Sequence, residues 1–134
     1  MRFMARPKQE QPTPAELEVL KVLWQRGPST VRDVMLALEP RPRRAYTSVM
    51  SLMNVMTHKG LLTRKLDGRA FVYQPRAPRE RTLGRMVNDL VGRAFEGSTA
   101  ALVAHLVDQS SPTPKELVAI RRAVDEYQQQ KQSP

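Results

Sequence analysis

The chain has 134 residues, no cysteine, and 22 Lys and Arg against 13 Asp and Glu, for a formal charge of +9. Disulfides, thiolate metal sites and cysteine redox chemistry are therefore excluded, and the length suits one ordinary domain or two small ones. No apolar run approaches the roughly 18 residues needed to cross a bilayer and no signal-peptide core follows Met1, so no membrane insertion and a cytoplasmic location are expected.

The charge is unevenly placed. Residues 1–80 hold 15 Lys and Arg against 7 Asp and Glu, whereas residues 81–134 hold 7 against 6. Such a split points to a polyanion-binding N-terminal part and a C-terminal part with another task.

Residues 1–12 show no period and read as a flexible N-terminal arm. Thr13-Pro14-Ala15-Glu16 then announces a helix: Thr13 as cap, Pro14 in the first helical position, Glu16 reaching back to the cap. Leu17, Leu20, Val22, Leu23 and Trp24 follow, and Gly27-Pro28 ends the run. Ser29 or Thr30 caps a second helix carrying Val31, Val34, Met35 and Leu38, which stops before Pro40 and Pro42.

The third helix lies between Arg41, Arg43 and Arg44 on one side and Lys59-Gly60 on the other, yet from Tyr46 to Thr57 it has no charge. At about 100° per residue, Val49, Leu52, Met53 and Met56 form one stripe, with Thr47, Ser51, Asn54 and His58 diametrically opposite. The helix should dock on one side and present short polar groups on the other. In "LLTRKLDGRAFVYQP", the β-leaning runs 61–66 and 69–73 flank Asp67-Gly68, a two-residue hairpin signal. Arg64, Lys65 and Arg69 cluster near that turn.

The rest reads as helical. Leu83, Met86, Val87, Leu90, Val91 and Phe95 keep a helical period, and Leu102, Val103, Leu106 and Val107 make a shorter run. Thr113-Pro114-Lys115-Glu116 repeats the capping signal before Leu117, Ile120, Val124 and Tyr127. Residues 130–134 read as a disordered tail. The fold class expected is mainly α with a small β-hairpin wing: a winged helix-turn-helix domain over 13–78, then a helical dimerisation domain over 79–129.

This order points to double-stranded DNA as partner. Arg and Lys meet phosphates without reading sequence, whereas hydroxyls, amides and methyl groups read base edges in the major groove. Thr47, Ser51 and Asn54 are the first base-reading candidates, with Ser48 and Met50 beside them. Thr47 also has a bland reading as helix cap. Arg43, Arg44, Tyr46, Lys59, Arg64, Lys65 and Arg69 are the phosphate and wing candidates. Leu83, Met86, Val87, Leu90, Val91, Phe95, Leu102, Leu106, Leu117, Ile120 and Val124 supply an apolar face that needs a partner, best met by a second copy. His58 and His105 have no second ligand at metal spacing, and no catalytic constellation or cofactor motif is present, so no metal, cofactor or enzymatic activity is expected. A winged-helix module for an acidic protein, or a repressor sensing a small ligand, stays open as an alternative.

The blocks "PAELEVLKVLW", "GPSTVRDVMLAL", "RRAYTSVM" and "KGLLTRKLDGRAFVYQP" resemble the penicillinase-repressor family of BlaI/MecI type, with its copper-responsive CopY relatives. The likeness covers roughly residues 13–127 and is most specific around the third helix. It implies a homodimeric winged-helix transcriptional repressor on inverted-repeat operators, with intertwined C-terminal helices. It also implies derepression by a membrane sensor-protease that cleaves the C-terminal part. Three departures accompany it. The cysteines of the copper-responsive branch are missing, Val55 stands where the family often has a cation, and the family's Asn-Phe cleavage junction aligns with His105-Leu106.

Overall fold

The computed structural model describes residues 11–38 and 45–132. Residues 1–10 of the arm expected over 1–12, the arginines at 41, 43 and 44, and the last two residues lie outside the described residues. The chain divides into two compact units, one ending at Val87 and the other beginning at Asn88.

The first unit contains α1 (Pro14–Arg26), α2 (Val31–Leu38), α3 (Tyr46–His58), β1 (Leu62–Asp67), β2 (Ala70–Pro75) and the first half of α4 (Arg79–Ala94). Three helices followed by a hairpin is the winged helix-turn-helix order expected from the sequence. α1 starts with a reciprocal cap: Glu16 N donates to Thr13 Oγ1 at 3.2 Å, and Thr13 N donates to Glu16 Oε1 at 3.0 Å. α2 starts the same way, Thr30 and Asp33 exchanging two bonds of 3.1 Å. Each exchange satisfies donors that a helix start otherwise leaves open.

These elements enclose one core. Val19, Leu20 and Leu23 come from α1, Val31 and Val34 from α2, Val49, Met53 and Met56 from α3, and Leu62 and Tyr73 from the hairpin. The stripe expected on α3 is thus buried, with Leu52 packed at its margin. On α1 the inward face differs slightly from expectation: Val19 is fully buried, while Leu17 and Trp24 are only half-buried. Trp24 spends its indole N–H on the carbonyl of Ala77 at 3.1 Å, tying α1 to the segment that leaves the hairpin.

Glu16 has a second duty that its helix position does not announce. Its carboxylate is buried and accepts from Lys59 Nζ at 2.8 and 3.0 Å, joining the start of α1 to the end of α3. α3 ends in a Schellman turn: Leu61 N donates to Met56 O, Gly60 N donates to Thr57 O, and Gly60 takes φ +85°. The left-handed residue there turns the chain sharply into β1, and a side chain would be strained.

The hairpin pairs Asp67 with Ala70, so its two-residue loop is Gly68-Arg69. This moves the turn one residue beyond the expected Asp67-Gly68. Only Gly68 has positive φ, at +68°, which fits a type II′ loop with glycine first. Parity then fixes the faces. Leu62 and Tyr73 point into the core, so Arg64, paired with Tyr73, and Leu66, paired with Phe71, share that face while Lys65 points the other way. Ser29 extends the sheet through an antiparallel bridge, exchanging backbone bonds of 3.1 and 2.8 Å with Tyr73.

The second unit holds the end of α4, α5 (Thr99–Ser110) and α6 (Pro114–Gln132). Ser98 caps α5 by accepting from Ala101 N at 3.0 Å, and Thr113 caps α6 by accepting from Glu116 N at 3.1 Å. α6 continues to Gln132, into the stretch read as a tail; the Gln and Lys residues there are good helix formers with no breaker among them. No residue of α5 or α6 is fully buried.

Two outcomes follow from these contacts. Glu16→Ala leaves the Lys59 ammonium without this carboxylate and α1 without half its cap, and should cost about 3–5 kcal/mol in denaturant unfolding. Glu16→Gln, which keeps an acceptor for the cap, should cost less. At Asp33, the backbone and side-chain hydrogen bonds from Thr30 hold the carboxyl below its ordinary value of 3.8, against a small opposing effect of burial. A depressed folded value means stability that is present above that ordinary value and lost as pH falls below it. Asp33→Asn should flatten this acid limb of a stability-versus-pH curve while leaving the neutral region's slope unchanged.

Candidate nucleic-acid interface

Because Val49, Met53 and Met56 are fully buried, the pitch of the helix puts Thr47, Ser48, Met50, Ser51 and Val55 in solvent. α3 is capped by the backbone of Ala45 with no side-chain bond, so Thr47 is not the cap and its hydroxyl is exposed within the first turn. Asn54 is half-buried. This outward surface carries the three hydroxyls of Thr47, Ser48 and Ser51 in its first two turns, an amide farther along, and the methyl-bearing side chains of Met50 and Val55.

On one shoulder of α3 the surface is concave. A cleft of about 820 Å³ runs between α2, α3 and the hairpin. Thr30, Arg32 and Met35 line it from the second helix and its start, Tyr46, Met50 and Asn54 from α3, and Arg64, Arg69, Phe71 and Tyr73 from the wing. The arginines come from two different elements and face one space, while Ser48, Ser51 and Val55 lie on the other shoulder of the helix. Arg32 was not singled out from sequence. Its only signal is a cation in the first turn of a short helix, which is commonplace on a solvated face.

Arg64 connects the wing to α3. Its Nη1 donates to Asn54 Oδ1 at 3.0 Å and to the Tyr73 hydroxyl at 3.3 Å. Its guanidinium carbon lies 4.1 Å from the centre of the Phe71 ring and 6.0 Å from that of Tyr73, and the two rings meet edge to face. Lys65 is exposed on the opposite face of β1, and Arg69 occupies the loop tip. Tyr46 is exposed at the mouth of the cleft. Lys59, expected among the phosphate candidates, is engaged with Glu16 instead, and its side chain is only 22% exposed. Its charge is partly neutralised by that carboxylate, which changes its role from surface cation to structural tie.

The dimerisation candidates divide by exposure. Val87, Leu90, Leu106 and Val124 are each about half exposed, whereas Leu83, Met86, Val91, Phe95, Leu102, Leu117 and Ile120 are half-buried. Val103, Val118 and Tyr127 add to the exposed apolar surface. His105 and Leu106 sit in the middle of α5, the His105 ring 5.6 Å from that of Phe95. Among the described residues no group of three His, Asp or Glu could hold a metal ion, and no helix is long and apolar enough to cross a membrane.

Comparison with known families places the chain. The family model of the penicillinase repressor matches residues 12–126. The chain belongs to the penicillinase repressor family. It is 36% identical over 115 residues to the transcriptional regulator BlaI of Mycobacterium tuberculosis, covering 84% of this chain and 82% of the relative. It is 22% identical over 117 residues to the penicillinase repressor of Bacillus licheniformis, covering 87% and 91% respectively. A solved structure of a MarR family protein from Bacillus stearothermophilus covers 90% of this chain and 76% of its own at 17% identity, with a TM-score of 0.46. The penicillinase repressor family is one of transcriptional regulators, not of enzymes.

Proposed function

We propose that this member of the penicillinase repressor family is a sequence-specific DNA-binding repressor that acts as a homodimer on an inverted-repeat operator. The observation that supports it best is the division of chemistry on the first unit. The exposed face of α3 has hydroxyls, an amide and methyl groups but no charge, and arginines line the cleft beside it. A base-reading helix needs groups that discriminate edges, and charge placed next to it supplies affinity without competing for those edges.

In this reading α3 enters the major groove by its N-terminal turns, so Thr47, Ser48 and Ser51 reach bases first, with Met50 and Asn54 behind them. Arg32 and Arg69 approach phosphates on the cleft side, and Arg43 and Arg44, just ahead of α3 in the sequence, are the counterparts at its start. Lys65 faces outward from the wing. Lys59 is dropped from the phosphate set because of its bond to Glu16.

The dimer is proposed from an imbalance between the units. Every fully buried apolar side chain among the described residues lies between Val19 and Tyr73, whereas the helices from α4 onward expose Val87, Leu90, Leu106, Val124 and Tyr127. At about 25 cal/mol per Å², leaving that surface in water forfeits several kcal/mol that a second copy would recover. Two copies also double the reading helices and match a palindromic site. A membrane sensor-protease acting at His105–Leu106, as the family resemblance implies, would have to unwind α5 first, because that bond sits inside a hydrogen-bonded helix. Repression itself is steric: the bound dimer occupies promoter DNA.

Footprinting the intact protein on the promoter of its own gene should protect an inverted repeat; uniform protection, or none, would refute the reading. Arg69→Ala should weaken binding to all duplexes alike and lower the salt slope by about one ion. In light scattering the intact chain should be a dimer, and Leu106→Asp with Val124→Asp should drive it toward monomer and weaken operator binding; an unchanged mass would count against this interface.

A further inference from the structure

Arg64 belongs to the wing but bonds the reading helix, and the chemistry of that bond is one-sided. A guanidinium has only donors, so the amide of Asn54 must give it the oxygen. The orientation of an isolated surface amide is arbitrary. Here the 3.0 Å bond from Arg64 Nη1 sets it, leaving the amide NH2 on the other branch. Among the described residues, Asn54 has no other side-chain partner, so that NH2 is available to a ligand of α3.

Arg64 is itself held. The Tyr73 hydroxyl accepts from the same Nη1 at 3.3 Å, the Phe71 ring lies under its guanidinium at 4.1 Å, and Tyr73 is buried with its backbone locked to Ser29. A lone exposed arginine loses most of a hydrogen bond's worth to side-chain entropy. One pinned against an aromatic face and a fixed hydroxyl has already lost that freedom, so the amide is tethered to a stationary group.

We infer that Arg64 is a positioning residue for base reading: by engaging the Asn54 oxygen it turns the amide NH2 toward the base edge, so that base preference at one operator position depends on the wing. The inference rests on the DNA-reading role of α3 proposed above. Guanine, adenine and thymine all present acceptors in the major groove, whereas cytosine presents only a donor. An amide offering NH2 therefore disfavours cytosine at the position it meets.

The test uses the full-length chain and the duplex protected in the footprint, with every single-base substitution measured for the wild type, Arg64→Ala, Arg64→Lys, Asn54→Ala and the double alanine variant. The wild type should bind at least roughly tenfold more weakly when cytosine replaces the native base at one position in each half-site. Asn54→Ala should abolish that penalty, and Arg64→Ala should remove most of it while the penalties at positions met by Thr47 and Ser51 stay. The double variant should add nothing further at that position, and Arg64→Lys, which keeps a donor and a charge, should restore part of it. If Arg64→Ala weakens all duplexes equally and keeps the cytosine penalty, Arg64 is a phosphate contact and the inference is overturned. Loss of every positional penalty at once would likewise overturn it, as a general effect of the wing on folding. A wild type that shows no positional penalty anywhere brings down the DNA-reading role itself, and this inference with it.

Discussion

Which side chains α3 can offer to the outside is decided by what it must bury. Val49, Met53 and Met56 are fully excluded from water, and losing either methionine to alanine would remove about 2–5 kcal/mol from a unit with ten buried apolar side chains among its described residues. With a pitch of 3.6 residues, that stripe leaves no freedom in the choice of Thr47, Ser48 and Ser51 as the opposite face. Both ends of the helix are then fixed by other means: its C-terminal end through Gly60 and the Lys59–Glu16 pair, and its entry by the backbone of Ala45. The outward surface is thus a consequence of the core, and its chemistry is free to vary without cost to folding.

The electrostatics follow the same separation. No charged side chain lies on α3 before His58, while Arg32, Arg64 and Arg69 line the cleft next to it. Arg64 does not resemble its neighbours, since it is bonded on two sides and stacked on a ring, whereas Arg69 stands at the loop tip. Cations of equal charge therefore have unequal surroundings, one bonded to α3 and stacked on the wing, the others at the edge of the cleft. Val55, half exposed on the far shoulder from the cleft, leaves that side of the helix apolar as well as uncharged.

Much of this was legible in the chain itself. The capping box at Thr13, the cap at Thr113, the stripe on α3 and the glycine that ends it are local patterns, and local patterns survive into the fold. The hairpin was legible in kind but not in register, because a glycine can serve at either position of a two-residue loop; the observed Gly68-Arg69 loop decides that Arg64 sits opposite Tyr73 rather than Phe71. Contacts between residues distant in sequence were not legible. Glu16 reads as a helix-capping acid, and nothing near it announces Lys59, 43 residues on. Nor does the pattern around Asn54 show that an arginine ten residues later will take its oxygen. The helices of the second unit were legible from their apolar period, although α6 runs on to Gln132, into the stretch read as a tail.

The central claim, that α3 reads bases while its surroundings supply charge, is tested most directly by competition between two duplexes. The intact protein, bound to a labelled fragment of its own promoter, is titrated with that same fragment and with a scrambled one of equal length and composition, across a range of salt. Phosphate contacts are shared by both duplexes and weaken with salt, whereas base contacts belong to one. The account predicts a preference for the native fragment of at least about a thousandfold, maintained as both affinities fall. Equal displacement by the two fragments at every salt concentration would contradict it.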